Sequence, residues 1–213
     1  MDKKIVCILG FTGSGKNTIL DKIMEFAGRY NDLKSKIGRL VYHTTRNKRA
    51  NEKDGVDYHF EDNYKEFGDL YLKYGYTLIE HREYFTLNDD KIFYYTLEDD
   101  IEKSKYDILV VTASPNQYKA YKARYGDNVI GIFIESPIRT RMLRLLNTRY
   151  KTDKDCCELC RRILDELDEF TEVFENDDAV SSITKFTNDE DTDIEVLYKS
   201  VIRQIIRPLI EQE

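Results

Sequence analysis

The chain has 213 residues, 41% hydrophobic and 34% charged, enough for one α/β domain with insertions or two small domains under a heavily charged surface. Its 33 basic and 40 acidic side chains leave a net charge of −7, which excludes a generic nucleic-acid binder. No apolar run approaches the roughly 20 residues that cross a bilayer, and Met1 leads into a strand with no room for a leader peptide, so a cytoplasmic protein without a membrane partner is expected.

Residues 4–9 read as a buried strand, and Ile19, Leu20, Ile23, Met24 and Ala27 repeat at helical spacing over 16–28, with Gly28 as a stop. Between them stands Gly10-Phe11-Thr12-Gly13-Ser14-Gly15-Lys16-Asn17-Thr18. Glycines between a strand and a helix let successive backbone N–H groups converge on one anion, and the helix adds its free N-terminal amides and positive dipole end. This is a phosphate loop, with Gly13, Ser14, Gly15, Lys16, Asn17 and Thr18 as candidates for the phosphates of ATP and Lys16 as the cation at the β- and γ-phosphates. The alternative is a glycine-rich turn with an incidental lysine. Asn17 replaces the Ser or Thr whose hydroxyl holds Mg²⁺, so the metal candidates are the carbonyl oxygen of Asn17 and the hydroxyl of Thr18.

Residues 37–43 read as a second strand. Residues 44–60 are polar and basic at the front; their Arg, Lys and Thr side chains suit the grip of an anion, or a solvated charged loop. A short helix over 62–75 carries Tyr64, Phe67, Tyr71 and Tyr74, and a hairpin follows: strand 77–87, turn Asn88-Asp89-Asp90, return strand 92–95. Then come a helix over 97–104, a buried strand over 106–112, a helix over 116–125 and a buried strand over 128–134. Ser136 as N-cap and Pro137 at the first position start a helix that carries Arg139, Arg141, Arg144 and Arg149. A second helix runs through Leu159, Ile163, Leu167 and Phe170, with Arg161 and Arg162 on it. Residues 180–183 suggest a last strand and 191–210 a final helix.

The alternation implies an α/β fold: a parallel-sheet phosphate-loop core of residues 1–43 and 105–213, helices on both faces, with a helical lid at about 137–165 and a small α+β insertion at 44–104. Cys7, Cys156, Cys157 and Cys160 read as reduced thiols, since the C-x-x-C pair lacks two further zinc ligands nearby. His43, His59 and His81 read as packed or hydrogen-bonded residues, and the tyrosines between 58 and 95 as the core of the insertion rather than a stacking wall.

The run Thr44-Thr45-Arg46, Arg49, Glu52, Gly55, Asp57-Tyr58 and Phe60 resembles the T-T-R-x-x-R-x-x-E-x-x-G-x-D-Y-x-F pattern of the guanylate kinase family at every fixed position. That resemblance implies transfer of a phosphoryl group from ATP·Mg²⁺ to a nucleoside monophosphate, GMP or dGMP, in an acceptor-binding insertion. It implies that Arg46, Arg49 and Tyr58 hold the acceptor phosphate, that Glu52 orients the arginines, and that Glu80 or Glu83 reads the base. Tyr42, Tyr95 and Thr96 join the acceptor site by the same resemblance, and Arg149 with Arg162, or Arg161 beside it, closes on the transferred group. Lys16, Arg46, Arg149 and Arg162 are then the catalytic residues. The chain departs from the pattern at Asn17, Tyr42 and Asn51, and at Val110, Val111 and Thr112, where the family carries two aspartates. A different phosphorylated acceptor, or a non-catalytic nucleotide- or partner-binding module, are the alternatives. The sequence does not fix the oligomeric state.

Overall fold

A computed structural model describes residues 3–50, 52–61, 67–85, 91–176 and 182–211. The expectations for Asn51, Tyr64, the turn at 88–90 and Val180 lie outside these residues, as does the side chain of Phe67.

One sheet is entirely parallel. Its strands are β1 (Lys4–Leu9), β2 (Ile37–Arg39), β7 (Ile108–Thr112), β8 (Val129–Glu135) and β9 (Thr184–Thr187), in the order β2-β7-β1-β8-β9. Successive residues of β1 point to opposite faces, and both faces are covered. Val6 and Ile8 pack with Ile19 and Ile23 of α1 (Lys16–Gly28) and with Val201 and Ile205 of the C-terminal helical stretch. Ile5, Cys7 and Leu9 pack with Tyr118 and Tyr121 of α5 (Pro115–Tyr125) and with Phe170 of α7 (Asp153–Asn176). Cys7 is fully buried, and burial pushes its thiol up.

The second sheet has the order β4-β3-β6-β5, from β3 (His43–Thr44), β4 (His59–Phe60), β5 (Leu78–Phe85) and β6 (Lys91–Leu97). It carries α3 (Phe67–Tyr74) and leads into α4 (Glu98–Glu102), and its own small core is Leu70, Phe93, Tyr95 and Leu97.

Several boundaries differ from the sequence reading. The strand expected over 37–43 is two strands in two sheets: the chain leaves β2 at Arg39, crosses at 40–42 and enters β3 at His43. Tyr42 marks the crossing, its hydroxyl donating to the Thr112 carbonyl at the end of β7. A short helix, α2 (Asn31–Lys36), precedes β2 and was not expected. The arginine helix α6 (Ile138–Thr148) has Pro137, not Ser136, at its N-cap. Ser136 is drawn away because its carbonyl accepts from Arg141 and its hydroxyl from Arg144. In α7, Leu159, Ile163 and Phe170 are buried but Leu167 is exposed. The last strand is Thr184–Thr187, just past the expected segment.

The C-terminal stretch is α8 (Ile194–Val201), a wider π turn at Ile202–Ile206, and α9 (Arg207–Glu211). Asp193 caps α8, its carboxylate accepting from Glu195 N. The π turn falls just before Pro208, which has no N–H for the Gln204 carbonyl; widening the turn is the relaxation such a gap calls for. No helix among the described residues is long and apolar enough to cross a membrane.

Candidate active site

A cleft of about 1660 Å³ lies between the two sheets and the α6–α7 pair. One wall is the loop from β1 to α1. Gly10, Gly13 and Gly15 have φ of 145°, 79° and 97°, a region that L side chains rarely adopt. At Gly10 a Cβ would stand 2.6 Å from the Ile134 carbonyl, and at Gly15 2.5 Å from Asn188 Nδ2, so these glycines are required by close packing as well as by dihedral. Lys16 opens α1, and its ammonium donates to the Gly10 and Phe11 carbonyls, the latter at 2.9 Å. Burial pushes it down to about 8, against the pull of Glu166, with Arg141 and Arg82 pushing the same way. Asn17 and Thr18 are exposed on the first turn of α1 and line the cleft; Ser14 is buried.

The loop is anchored from three directions. Thr12 N donates to Glu166 Oε2 of α7 at 2.6 Å. Arg141, buried at 4% exposure, donates to the Thr12 carbonyl at 3.2 Å and lies over the Phe11 ring at 4.6 Å. Asn188, just past β9, donates to the Ser14 carbonyl at 2.7 Å and accepts from Arg144 at 3.2 Å.

The opposite wall carries the cluster around Arg46, expected to hold the acceptor phosphate. Arg46 donates to both oxygens of Glu52 at 2.8 Å and to Tyr94 Oη at 3.0 Å. Glu52 Oε2 also accepts from Arg49 N at 2.8 Å, and Arg49 Nη1 lies 3.9 Å from Glu52 Oε1. The Arg46 bonds hold the Glu52 carboxyl down at about 2; burial lowers Arg46, but Glu52 and Tyr94 together outweigh it and Arg46 is raised. Its guanidinium lies over the rings of Tyr58 and Phe60, at 5.1 and 5.5 Å. The fixed residues around it build the loop. Gly55 N donates to the Tyr58 carbonyl, Lys53 N to Asp57 and Phe60 N to Asp54, which fixes the turn that presents Tyr58. Thr44 Oγ1 donates to the Phe93 carbonyl and Thr45 Oγ1 accepts from Phe93 N, so both staple the loop to β6, while Thr45 also lines the cleft.

The expected residues divide by location. Gly13, Gly15, Lys16, Asn17, Thr18, Tyr42, Arg46, Arg49, Tyr58, Arg149 and Arg162 line the cleft. Glu52 sits behind Arg46. Ser14, Glu80 and Thr96 are buried and do not line it, and Tyr95 is turned to the other face: it is fully buried against His43 and Tyr74, and its neighbour Tyr94 lines the cleft instead. Of the two glutamates on β5, Glu80 turns inward, where Oε1 accepts from Thr96 and from Gln117, both at 3.1 Å. Its Oε2 is buried with no hydrogen-bond partner, and burial pushes the carboxyl up to about 7. Glu83 lies on the other side of the strand, 3.9 Å from Lys91. Thr96 is buried in a chain of hydroxyls, 2.7 Å from Tyr121 Oη, which is 3.5 Å from that of Tyr42. Arg161 and Arg162 both pair with Glu158 on α7.

The sequence reading did not assign Arg82, Tyr94, Gln117, Arg141, Glu166, Glu169 or Asn188 to the site. Arg82 lines the cleft and pairs with Glu169 of α7 at 2.9 Å, tying the second sheet to α7. Period-2 alternation from Glu80 would have found it; no local signal marks Asn188 or Glu166.

The family model for guanylate kinase matches residues 2–188. A curated guanylate kinase of Schizosaccharomyces pombe is 46% identical over 57 residues, 27% of this chain and 25% of that protein. One of Mycoplasma genitalium is 27% identical over 173 residues, 80% of this chain and 65% of that one. The chain thus spans a quarter and just under two thirds of the lengths of these relatives. A crystal structure of guanylate kinase from Anaplasma phagocytophilum shares the fold at a TM-score of 0.57 and 20% identity, over 98% of this chain and 87% of that one. With the family model covering nearly the whole chain, the chain belongs to the guanylate kinase family.

Proposed function

We propose that the protein transfers the γ-phosphoryl group of ATP to a nucleoside monophosphate, GMP or dGMP. The observation that carries this reading is the facing of two anion-binding devices across one cleft: the loop with Lys16, and the Arg46–Glu52–Tyr58–Tyr94 cluster. The attacking phosphate oxygen is already ionised, so the chemistry needs position and charge rather than a base. Lys16 and the loop amides hold the donor, and Arg46, Arg49 and Tyr58 hold the acceptor phosphate. Arg149 and Arg162 stabilise charge on the transferred group from the α6–α7 side, and the enclosing cleft excludes water.

Mg²⁺ takes oxygen ligands and is usually held by one or two carboxylates with substrate phosphates. Asn17 and Thr18 offer exposed neutral oxygens at the loop, while Val110, Val111 and Thr112 offer no side-chain carboxylate. This donor set fits a cation held mainly by the phosphates and by water, with one oxygen from Asn17 or Thr18; when bound, it neutralises charge on the phosphoryl oxygens. Base reading falls to Glu80, whose Oε2 is buried and unpartnered beside Gln117 and Thr96.

Tyr42 bonded to the Thr112 carbonyl, where the family has a small residue and a carboxylate, favours a second reading: the same chemistry on a different phosphorylated acceptor. The test is ADP formation from ATP and Mg²⁺ with GMP, dGMP, AMP, CMP, UMP and dTMP. Turnover confined to GMP or dGMP is expected. ATP binding without turnover on any of the six overturns the first reading.

A further inference from the structure

We propose that His43, His59 and Asp100 form a binding site for one divalent transition-metal ion, Zn²⁺ foremost, on the face of the second sheet turned away from the cleft. His43 and His59 are directly paired in register across β3 and β4, so both imidazoles stand on one face, with ring centroids 4.7 Å apart. Asp100 reaches them from α4, and one ligand atom from each of the three lies within 4.8 Å of the others. His43 Nε2 is 3.1 Å from Asp100 Oδ1. Two zinc ligands at about 2.0–2.1 Å in tetrahedral geometry stand roughly 3.3 Å apart, so this pair is already close to chelating separation.

The surroundings are those of a metal centre rather than of a bare cluster. His43 Nδ1 is 3.1 Å from Glu61 Oε1, the carboxylate–histidine arrangement that fixes a ring and leaves its other nitrogen for the metal. Glu61 is itself held through Oε2 by Tyr74 Oη at 2.6 Å and Lys73 Nζ at 3.0 Å. The second Asp100 oxygen accepts from Leu97 N at 2.9 Å, which fixes that side chain. His43 is buried while His59 and Asp100 are half-exposed, so the site opens to solvent and water can complete the coordination. Two imidazoles and one carboxylate select zinc-like ions over Mg²⁺ or Ca²⁺, which prefer all-oxygen sites.

The placement gives such an ion a consequence. His43 directly precedes Thr44-Thr45-Arg46, and His59 directly follows Tyr58. One ion joins both ends of the acceptor loop and ties them to α4, and so stiffens the loop without entering the cleft.

The test is calorimetric titration of the chelator-treated full chain with Zn²⁺ alone, with Co²⁺ and its visible spectrum as a coordination readout. One Zn²⁺ per chain and a raised Tm are expected. His59→Ala and Asp100→Asn, both at half-exposed positions and checked for fold by circular dichroism, are expected to lose the stoichiometric site and the Co²⁺ bands. Glu61→Gln is expected to weaken binding about 10- to 100-fold. A variant with Cys156, Cys157 and Cys160 all replaced by Ser is expected to keep it. Absence of stoichiometric binding overturns the proposal, as does binding that survives both ligand variants or disappears with the cysteines.

Discussion

The β1–α1 loop and the Arg46 cluster, the proposed donor and acceptor sites, are built in opposite ways. The acceptor cluster is a side-chain device closed almost within residues 44–60: Glu52 braces Arg46 and the backbone of Arg49, with Tyr94 and Phe93 of β6 as its described supports from elsewhere. The donor loop is a backbone device whose bracing comes from afar: Glu166 from α7, Arg141 from α6 and Asn188 from beyond β9. A side-chain device fails when one brace is cut; a backbone device spreads each loss over several anchors. Substitutions on the two sides therefore have different costs.

The largest expected effect is at the loop's own cation, Lys16. Lys16→Ala should lower the single-turnover rate by on the order of 10²–10⁴, as loss of a phosphoryl-stabilising cation does elsewhere, and Arg149→Ala similarly. A rate within about threefold of wild type, in a folded variant, would remove either residue from the catalytic role.

The next effect is one of pH and belongs to the buried floor of the acceptor side. Glu80 titrates at about 7 in the fold because burial penalises its charge, against an ordinary 4.5 in the unfolded chain. The folded state therefore keeps a proton that the unfolded chain has released. This contribution is full below about pH 4.5 and is lost as pH rises through about 7; it is on the order of 3 kcal/mol. Glu80→Gln keeps a carbonyl for Thr96 and Gln117 but cannot ionise. Thermal unfolding at about pH 5.5 and 8.5 should show that the variant loses less stability between the two than the wild type does. Equal losses in both would mean that Glu80 is ionised or hydrated in the fold.

Cutting the acceptor brace should come third. Glu52→Gln removes a two-point charged contact, worth about 1.5–3 kcal/mol, and should raise the acceptor KM by about 10- to 100-fold with the ATP KM unchanged. If both KM values rise together, Glu52 supports the whole cleft and not the acceptor side alone.

This contrast also explains how much was legible in the sequence. Thr44 to Phe60 announce themselves because the turn, its charges and their brace are neighbours in the chain. Within that run the threonines misled, because their hydroxyls serve Phe93 on β6, a partner fixed only by strand pairing. Tyr95 misled because the resemblance does not record which face of its strand each residue takes; the register Arg82↔Tyr94 puts Tyr94, not Tyr95, on the side of Arg82. Strand 37–43 was read as one because its apolar pattern does not record a change of sheet. The parallel core was the most legible part, since strands buried on both faces are written as continuous apolar runs, as in Lys4–Leu9 and Ile108–Thr112. Glu166 and Asn188 were not legible at all: each reaches the loop through a contact made more than 150 residues away along the chain.

The smallest expected effect tests that distant bracing. Asn188→Ala deletes the bond to the Ser14 carbonyl and one acceptor of Arg144, while Glu166 and Arg141 still hold Thr12. One neutral hydrogen bond contributes about 0.5–1.5 kcal/mol, so the ATP KM should rise by no more than about tenfold and the acceptor KM should stay put. Combining Asn188→Ala with Glu166→Gln then measures whether the anchors act together. If either anchor can hold the loop when the other is gone, the double variant loses more ATP affinity than the sum of the two single free-energy changes. If the losses simply add, each anchor holds only its own peptide, and the loop owes its shape to its glycines.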